Sequence, residues 1–190
     1  MSGTSSETFD KIHKFVTRWE GGYVDDPSDH GGATNFGVSL RFLKGLPIED
    51  ADINGDGVVD KRDIRELTID DAKRLLKKYF WDAMRLDNLE TIKPRLAACC
   101  YNFGMNMGIG TARKLAQLAV GTTADGAWGP KTWKAFYECK DKTAAIQMCK
   151  LARARYERIV QNNPSQAKFL RGWLSRVREL EKLIKEWSGD

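Results

Sequence analysis

Apolar residues recur at the spacing of one helix face along most of the chain, and this pattern constrains the fold more than any other feature. Such periodic segments cover 8–20, 68–82, 94–107, 109–119, 130–139, 143–162 and 165–187. Runs of Val, Ile and Thr that predict strands are missing, and only the Gly-, Asp- and Asn-rich stretch 23–38 suggests a short hairpin. We therefore predict a mainly α fold with a small β-hairpin or loop region.

Size, cysteine content and charge narrow the class of protein further. A chain of 190 residues buries a sufficient core without disulfide bonds, and its best internal boundary predicts one lobe at 1–90 and a helical lobe at 91–190. The four cysteines form no C-x-x-C pair, so we expect reduced, mostly buried thiols and no zinc site. The net charge of +5 favours polyanionic partners, but no nucleic-acid motif and no apolar run of membrane-spanning length appears.

A glutamate at the end of the first predicted helix is the best candidate for an acid catalyst. Glu20 follows Trp19, precedes two glycines that end the helix, and lies close to Tyr23. A carboxyl group between an apolar helix and aromatic rings loses hydration, which raises its pKa and suits a general acid near neutral pH. An exposed glutamate is the alternative, although the helix dipole disfavours a negative charge at this end.

Asp29 and Thr34 lie in the turn-rich stretch that follows Glu20. A hairpin there would bring both residues to face Glu20 across a cleft. Such a set supplies the groups for glycoside hydrolysis, in which one acid protonates the leaving oxygen while a carboxylate and a hydroxyl orient water on the other face of the sugar. The alternative is that Asp29 and Thr34 only satisfy backbone groups in turns.

Three sequence blocks in this region carry a family resemblance. They read Glu20-Gly-Gly-Tyr, Asp26-Pro-Ser-Asp and Gly31-Gly-Ala-Thr-Asn-Phe-Gly-Val. They resemble the signature of glycoside hydrolase family 108, the N-acetylmuramidases of phage endolysins and bacterial lytic proteins, although His30 stands where the family often has Pro. The resemblance implies a lysozyme-like fold in two lobes, peptidoglycan as the substrate and Glu20 as the catalytic acid. The order Glu, Asp, Thr is also similar to the phage lysozyme triad, with a one-residue offset.

The resemblance continues to about residue 180. The segment 102–108 is similar to a second family turn, with Asn102 where the family commonly has Asp, and 125–132 resembles an element of predicted peptidoglycan-binding segments. The predicted substrate contacts are Tyr23, Asn35, Asn102 and Asn106. These four side chains either bind sugar hydroxyls or hold loops in place. Trp81 and Trp173 at helical spacing favour a core role over a sugar-stacking role.

Residues 52–63 match the loop of an EF hand at six positions. The predicted oxygen ligands are Asp52, Asn54, Asp56, the Val58 carbonyl, Asp60 and Asp63. Gly57 supplies the sharp turn, and Asp63 replaces the usual glutamate with a side chain one methylene shorter. We predict a bound Ca²⁺ that stabilises the first lobe. As a hypothesis, the loop stays empty where the calcium concentration is low, and the enzymatic activity is then low. A surface turn without metal is the alternative.

These features together predict a muramidase that hydrolyses the MurNAc–GlcNAc β-1,4 bond of peptidoglycan and lyses bacterial cell walls. A lytic transglycosylase using Glu20 alone and a non-catalytic wall-binding module remain alternatives, whereas a calcium-sensing adaptor would carry paired EF loops. The first residues lack the basic and apolar segments of a signal peptide. We therefore expect synthesis in the bacterial cytoplasm, export through a holin or a secretion machine, and action in the periplasm or at the cell wall. We also expect a monomer.

Overall fold

The computed structural model describes residues 6–20, 22–25 and 32–187, and of Glu20 the backbone only. Within these ranges the helices are α1 Glu7–Glu20, α2 Leu40–Leu43, α3 Ile48–Ala51, α4 Lys61–Glu66, α5 Ile69–Leu76, α6 Leu86–Glu90, α7 Pro94–Met107, α8 Ile109–Ala119, α9 Pro130–Glu138, α10 Asp141–Asn162 and α11 Ala167–Glu186. A two-stranded antiparallel sheet joins β1 Thr34–Asn35 to β2 Val38–Ser39. The prediction of a mainly α fold with a small hairpin is confirmed. No described helix has the length and apolar character needed to cross a membrane.

Backbone contacts divide the chain into two compact units, one formed by Met1–Ile12 with Phe80–Asp190 and the other by His13–Tyr79. In the first unit, α7 is buried along most of its length and packs against α8 and α10, and α10 also packs against α11. The rings of Phe9, Trp81 and Tyr101 meet edge to face, with centroids 5.3–5.8 Å apart. Trp81 is fully buried, which confirms its interpretation as a core residue.

Three of the four cysteines lie in this same core. The Cys99 and Cys149 sulfur atoms are 4.0 Å apart between α7 and α10, Cys100 is also buried, and Cys139 is partly buried. Burial raises the pKa of the Cys99 and Cys100 thiols well above the ordinary value. The prediction of mostly buried thiols is therefore confirmed.

Short polar motifs fix the helices of the second unit. Thr68 begins α5 with a capping box to Asp71, as its sequence position predicted. The carboxylate of Asp50 in α3 is buried and accepts hydrogen bonds from Arg74 at 3.0 Å, from Tyr79 Oη at 2.5 Å, and from Lys78. The Lys78 and Tyr79 hydrogen bonds lower the pKa of Asp50 more than its burial raises it. Asp50 thus connects α3 to α5 and to the residues that follow it.

The helix that we predicted as continuous over 68–82 has two parts. After α5 the backbone widens into a π-helical segment, Lys77–Asp82. The apolar spacing of a π-helix differs from that of an α-helix by less than a residue per turn, so the sequence pattern did not separate them. The short helices α3 and α6 were not predicted because each is only one turn long.

The hairpin has a shorter turn than the composition of 23–38 indicated. Asn35 pairs with Val38, and the two residues between them, Phe36 and Gly37, have φ values of +48° and +82°. Two positive φ values in a two-residue loop are typical of a type I′ turn, which matches the twist of the flanking strands. Val24 pairs with Thr34 on the other side, so a third short segment joins the hairpin.

Candidate active site and wall-binding segment

The predicted catalytic residues fall in the second unit. Glu20 is the last residue of α1, but its side chain and all of Asp29 lie outside the described residues. Thr34 begins β1, and its backbone N–H and C=O each bond to Val24 at 2.8 Å. Its hydroxyl donates to the Gly32 carbonyl at 3.4 Å. The structure therefore holds Thr34 against the segment that follows the end of α1.

Tyr23 forms a charged cluster with residues from α4. Arg65 Nε donates to the Tyr23 hydroxyl at 3.1 Å, and the guanidinium carbon lies 5.6 Å from the ring centroid. The Tyr23 hydroxyl in turn donates to Asp25 at 3.4 Å, and Asp25 also pairs with Lys61 at 2.9 Å. The hydrogen bond with Tyr23 is the main reason that the pKa of Arg65 is raised. Sequence reasoning did not find Arg65 or Lys61, because basic residues on a short helix resemble ordinary solvated ones.

The three predicted asparagine contacts have protein partners. Asn35 is buried, and its Nδ2 donates to the Ile64 carbonyl of α4 at 3.0 Å. In the first unit, Asn102 is fully buried and its Oδ1 accepts from Arg176 Nε at 3.0 Å. Asn106 Nδ2 donates to the Asn102 carbonyl at 2.7 Å. These bonds favour the alternative that the asparagines hold local structure, and their roles toward substrate stay predictions.

The 52–63 loop is ordered by its own carboxylates. Asp52 accepts from the backbone N–H groups of Gly55, Asp56 and Gly57 at 2.8–3.1 Å, and Gly57 has a φ of +83°. Asp63 is fully buried and accepts from Ile53 at 2.9 Å and from Asp60 at 2.7 Å, which also completes the capping box of α4. Hydrogen bonds from backbone N–H groups to Asp52 and Asp63 thus fix the loop on both sides of the sharp turn that Gly57 provides.

Arg62 provides the positive charge beside this loop. Its Nη2 lies 2.8 Å from an Asp56 oxygen and 3.0 Å from an Asp60 oxygen. The hydrogen bond from Arg62 is the largest cause of the lowered pKa of Asp60. Among the described residues, no three His, Cys, Asp or Glu side chains converge as a metal-binding group. The donor chemistry of the loop, carboxylates with an amide and a carbonyl, nonetheless suits a hard cation such as Ca²⁺.

A buried glutamine organises the segment that resembles a wall-binding element. Gln117 of α8 is 1% exposed. Its Oε1 accepts from the Gly126 N–H at 2.7 Å, and its Nε2 lies within 2.7–3.2 Å of Asp125 Oδ1, the Ala127 carbonyl and Thr132 Oγ1. The two N–H groups of Gln117 Nε2 therefore have three acceptors within hydrogen-bond distance. Sequence reasoning missed this residue because a single polar side chain on an amphipathic helix suggests a surface position.

The loop that Gln117 holds lines a cavity of about 700 Å³. Its walls are formed by Gly121, Thr122, Thr123, Asp125, Ala127, Gly129, Pro130, Lys131 and Thr132. The hydrogen bond from Gln117, followed by that from the Ala127 N–H, lowers the pKa of Asp125. A negative carboxylate, a lysine and several hydroxyls thus surround an open volume at the start of α9.

An aromatic column lies further along the same unit. The rings of Tyr156 and Trp173 stack with centroids 4.9 Å apart, and Trp173 stacks on Phe169 at 5.8 Å. Tyr156 is buried, whereas Phe169 is 45% exposed. Trp173 therefore lies between a buried ring and an exposed ring, where α10 meets α11. Neither a pure core role nor a pure sugar-stacking role describes it fully.

Comparisons with known proteins agree on the layout. Residues 13–108 match the family model described as Glycosyl hydrolase 108, and residues 111–178 match the Predicted Peptidoglycan domain. A solved structure, described as the structure of Brucella abortus SagA, is similar with a TM-score of 0.76 and 28% sequence identity, over 96% of this chain and 97% of that chain. Among curated proteins, none matches. The predicted order of a hydrolase part followed by a peptidoglycan-binding part is supported, and its boundary at residue 90 stays a prediction.

Proposed function

The chain belongs to the glycosyl hydrolase 108 family, and from this premise we propose that it is an N-acetylmuramidase that hydrolyses the MurNAc–GlcNAc β-1,4 bond. The coarser statement, a peptidoglycan-related glycoside hydrolase with a peptidoglycan-binding domain, follows from the two family models. One observation carries the finer proposal. The hydrolase match spans the positions of Glu20, Asp29 and Thr34, and a pair of carboxyl groups is what glycoside hydrolysis requires.

In this proposal Glu20 is the general acid. Its proton passes to the glycosidic oxygen as the bond to the anomeric carbon breaks, so the leaving sugar departs with a hydroxyl group. Asp29 accepts a proton from water, and that water adds to the anomeric carbon from the opposite face. The Thr34 hydroxyl orients the same water. Inversion at the anomeric carbon follows if the two carboxyl groups stand about 6.5–9.5 Å apart.

Substrate contacts are proposed on both units. Tyr23 is 39% exposed and follows the end of α1 closely in the chain, and Asn35 supports the hairpin from within. We include Asn102 and Asn106 as positions that shape the substrate surface of the first unit, with Asn102 acting through its backbone and through Arg176. The aromatic column and the cavity lined by 121–132 belong to the matched peptidoglycan-binding domain, and they support a separate role in wall attachment.

We also propose that the 52–63 loop binds Ca²⁺. The ion would be held by Asp52, Asn54, Asp56, the Val58 carbonyl, Asp60 and Asp63. Bound calcium supplies positive charge that offsets the crowded carboxylates, so it stabilises the folded loop and the start of α4. Arg62 would have to release Asp56 and Asp60 when the ion enters.

Delivery to the wall is part of the same proposal. The two matched domains act on peptidoglycan, which lies outside the cytoplasmic membrane. A holin or a secretion machine is the proposed route, and both a phage endolysin and an exported antibacterial effector fit it. A monomer without nucleic-acid partners remains our expectation.

Digestion of purified sacculi by wild type and Glu20→Gln tests the proposed activity. The amide cannot donate the proton, so we expect at least a 100-fold slower release of reducing ends, with sedimentation on sacculi unchanged. Glu7→Gln, at the exposed start of the same helix, is the matched control and should retain full activity.

Mass spectrometry of the products separates the alternatives. Hydrolysis leaves reducing MurNAc ends, whereas a lytic transglycosylase leaves anhydro-MurNAc ends. A wild type that sediments with sacculi but releases neither product would instead be a wall-binding module. Anhydro-MurNAc ends, or the absence of both products, would contradict the muramidase proposal.

A further inference from the structure

Helix α4 contacts the chain on both sides of the segment predicted to carry catalysis. Lys61 pairs with Asp25 at 2.9 Å, and Arg65 donates to Tyr23 at 3.1 Å. The carbonyl of Ile64 accepts from Asn35 at 3.0 Å. Three neighbouring positions of one short helix therefore hold 23–25 and the hairpin together.

The chain that follows Glu20 needs a contact that fixes its direction. Two glycines follow Glu20 in the sequence, and among the described residues, its chain neighbours aside, no atom would lie within 4 Å of a Cβ at Gly22. Glycine has the widest backbone freedom, so the helix itself does not fix the direction of the chain beyond α1. The first side chain after the glycines is Tyr23, which α4 holds directly.

Arg65 is suited to fix the orientation of Tyr23 as well as its position. Its Nε–H points at the phenol oxygen, while its guanidinium lies against the ring, 5.6 Å from the centroid. A planar guanidinium makes both contacts at once, which an ammonium group does not. The phenol hydrogen is then directed to Asp25, which Lys61 holds in turn.

We propose that Arg65 is a positioning residue for the hydrolysis, acting through Tyr23 and the backbone pairing of Val24 with Thr34 to set where Thr34 stands. This inference rests on the proposed function. It predicts that loss of the contact between α4 and residues 23–25 lowers kcat more than it changes KM, because a misplacement of about 1 Å in a reacting group lowers rates by about 100-fold.

A double-mutant cycle on Arg65 and Tyr23 tests this inference. Soluble peptidoglycan fragments serve as substrate, and reducing ends are counted for wild type, Arg65→Ala, Tyr23→Phe and the double variant. We expect Arg65→Ala to lower kcat by about 10- to 100-fold with KM changed less than about threefold, and the double variant to equal the worse single variant. Arg41→Ala, an exposed arginine of the same unit, is the matched control and should leave kcat unchanged.

Arg65→Lys separates positioning from simple stabilisation. Lysine keeps the charge and one donor, so it should recover part of the kcat while the melting temperature of all variants stays near that of wild type. A normal kcat for Arg65→Ala, or losses that multiply in the double variant, would overturn this inference alone. If Arg65→Ala does not fold, Arg65→Lys and Tyr23→Phe complete the cycle. A wild type that releases no reducing ends would overturn the proposed function as well.

Discussion

Replacing Gln117 with methionine should loosen the 121–132 loop without disturbing the core around it. Methionine has nearly the same length and fills the same space on α8, but it offers no hydrogen bond. Of the groups that lose a partner, the Gly126 N–H and the Thr132 hydroxyl lie below the surface, whereas Asp125 and Ala127 are exposed and regain water. The cost therefore comes mainly from two groups.

A buried polar group left without a partner costs about 1–3 kcal/mol, which applies to the Thr132 hydroxyl, and the partly buried Gly126 N–H adds about 1 kcal/mol, so the expected loss of unfolding free energy is about 2–4 kcal/mol. For a chain of 190 residues, a loss of 1 kcal/mol lowers the melting temperature by about 2–4 °C. We expect Gln117→Met to melt about 4–16 °C below wild type by circular dichroism. It should also sediment several-fold less with sacculi, measured in the Glu20→Gln background so that the sacculi stay intact.

Gln161→Met is the matched control, because this glutamine is exposed on α10. It should melt within about 1 °C of wild type, as most exposed substitutions do. If Gln117→Met also melts within that interval, the hydrogen bonds of Gln117 do not hold the loop and the reasoning is refuted. Normal melting with lost sedimentation would refute it equally, since the binding effect would not then come from a loosened loop.

Three further substitutions should change stability or Ca²⁺ affinity, not all in the same direction. Asp50→Asn removes a carboxylate whose pKa is lowered chiefly by the hydrogen bond from Lys78, so its stabilising effect is full above the unfolded pKa of about 3.9 and disappears as pH falls through the lower folded pKa. The urea unfolding free energies of the two proteins should differ at neutral pH, and the difference should shrink steadily as the pH is lowered through the acid range. Asn102→Asp places a carboxylate beside buried Arg176 and removes a buried Nδ2 that has no hydrogen-bond partner in the described part of the chain. The unfolding free energy should therefore rise by about 1 kcal/mol, and a fall would contradict this. Arg62→Ala frees two loop carboxylates and should tighten Ca²⁺ binding by up to about fivefold in calorimetric titration, whereas unchanged or weaker binding would count against the proposed ligands.

Local signals in the sequence predicted much of the architecture. Thr68 and Pro94 marked helix starts correctly, because capping and the missing N–H of proline act within one turn. The bounds of α8 also agree with the predicted 109–119. Phe36 escaped notice, since a left-handed φ at a residue with a large side chain is imposed by the paired strands and not by its own preference.

The contacts that define the site join residues that are far apart in the chain. Arg65 and Tyr23 are 42 residues apart in the chain, and Lys61 and Asp25 are 36 apart. No periodicity links such pairs, because they depend on how α4 packs after the 52–63 loop has turned the chain. Gln117 had at most a weak signal, an amide eight residues before an Asp-Gly turn. The sequence thus identified which segments matter, and the packing identified which side chains join them.

The burial of the cysteines bears on how such a chain survives outside a reducing compartment. Attack on an oxidant or on a disulfide requires a thiolate, and the raised pKa of Cys99 and Cys100 keeps both protonated and out of reach. Cys139, partly exposed after α9, is then the sulfur that an alkylating reagent or a foreign thiol meets first. If the protein is delivered to the wall as proposed, a folded chain would present one accessible sulfur and an unfolded chain four, so delivery after folding would expose fewer thiols.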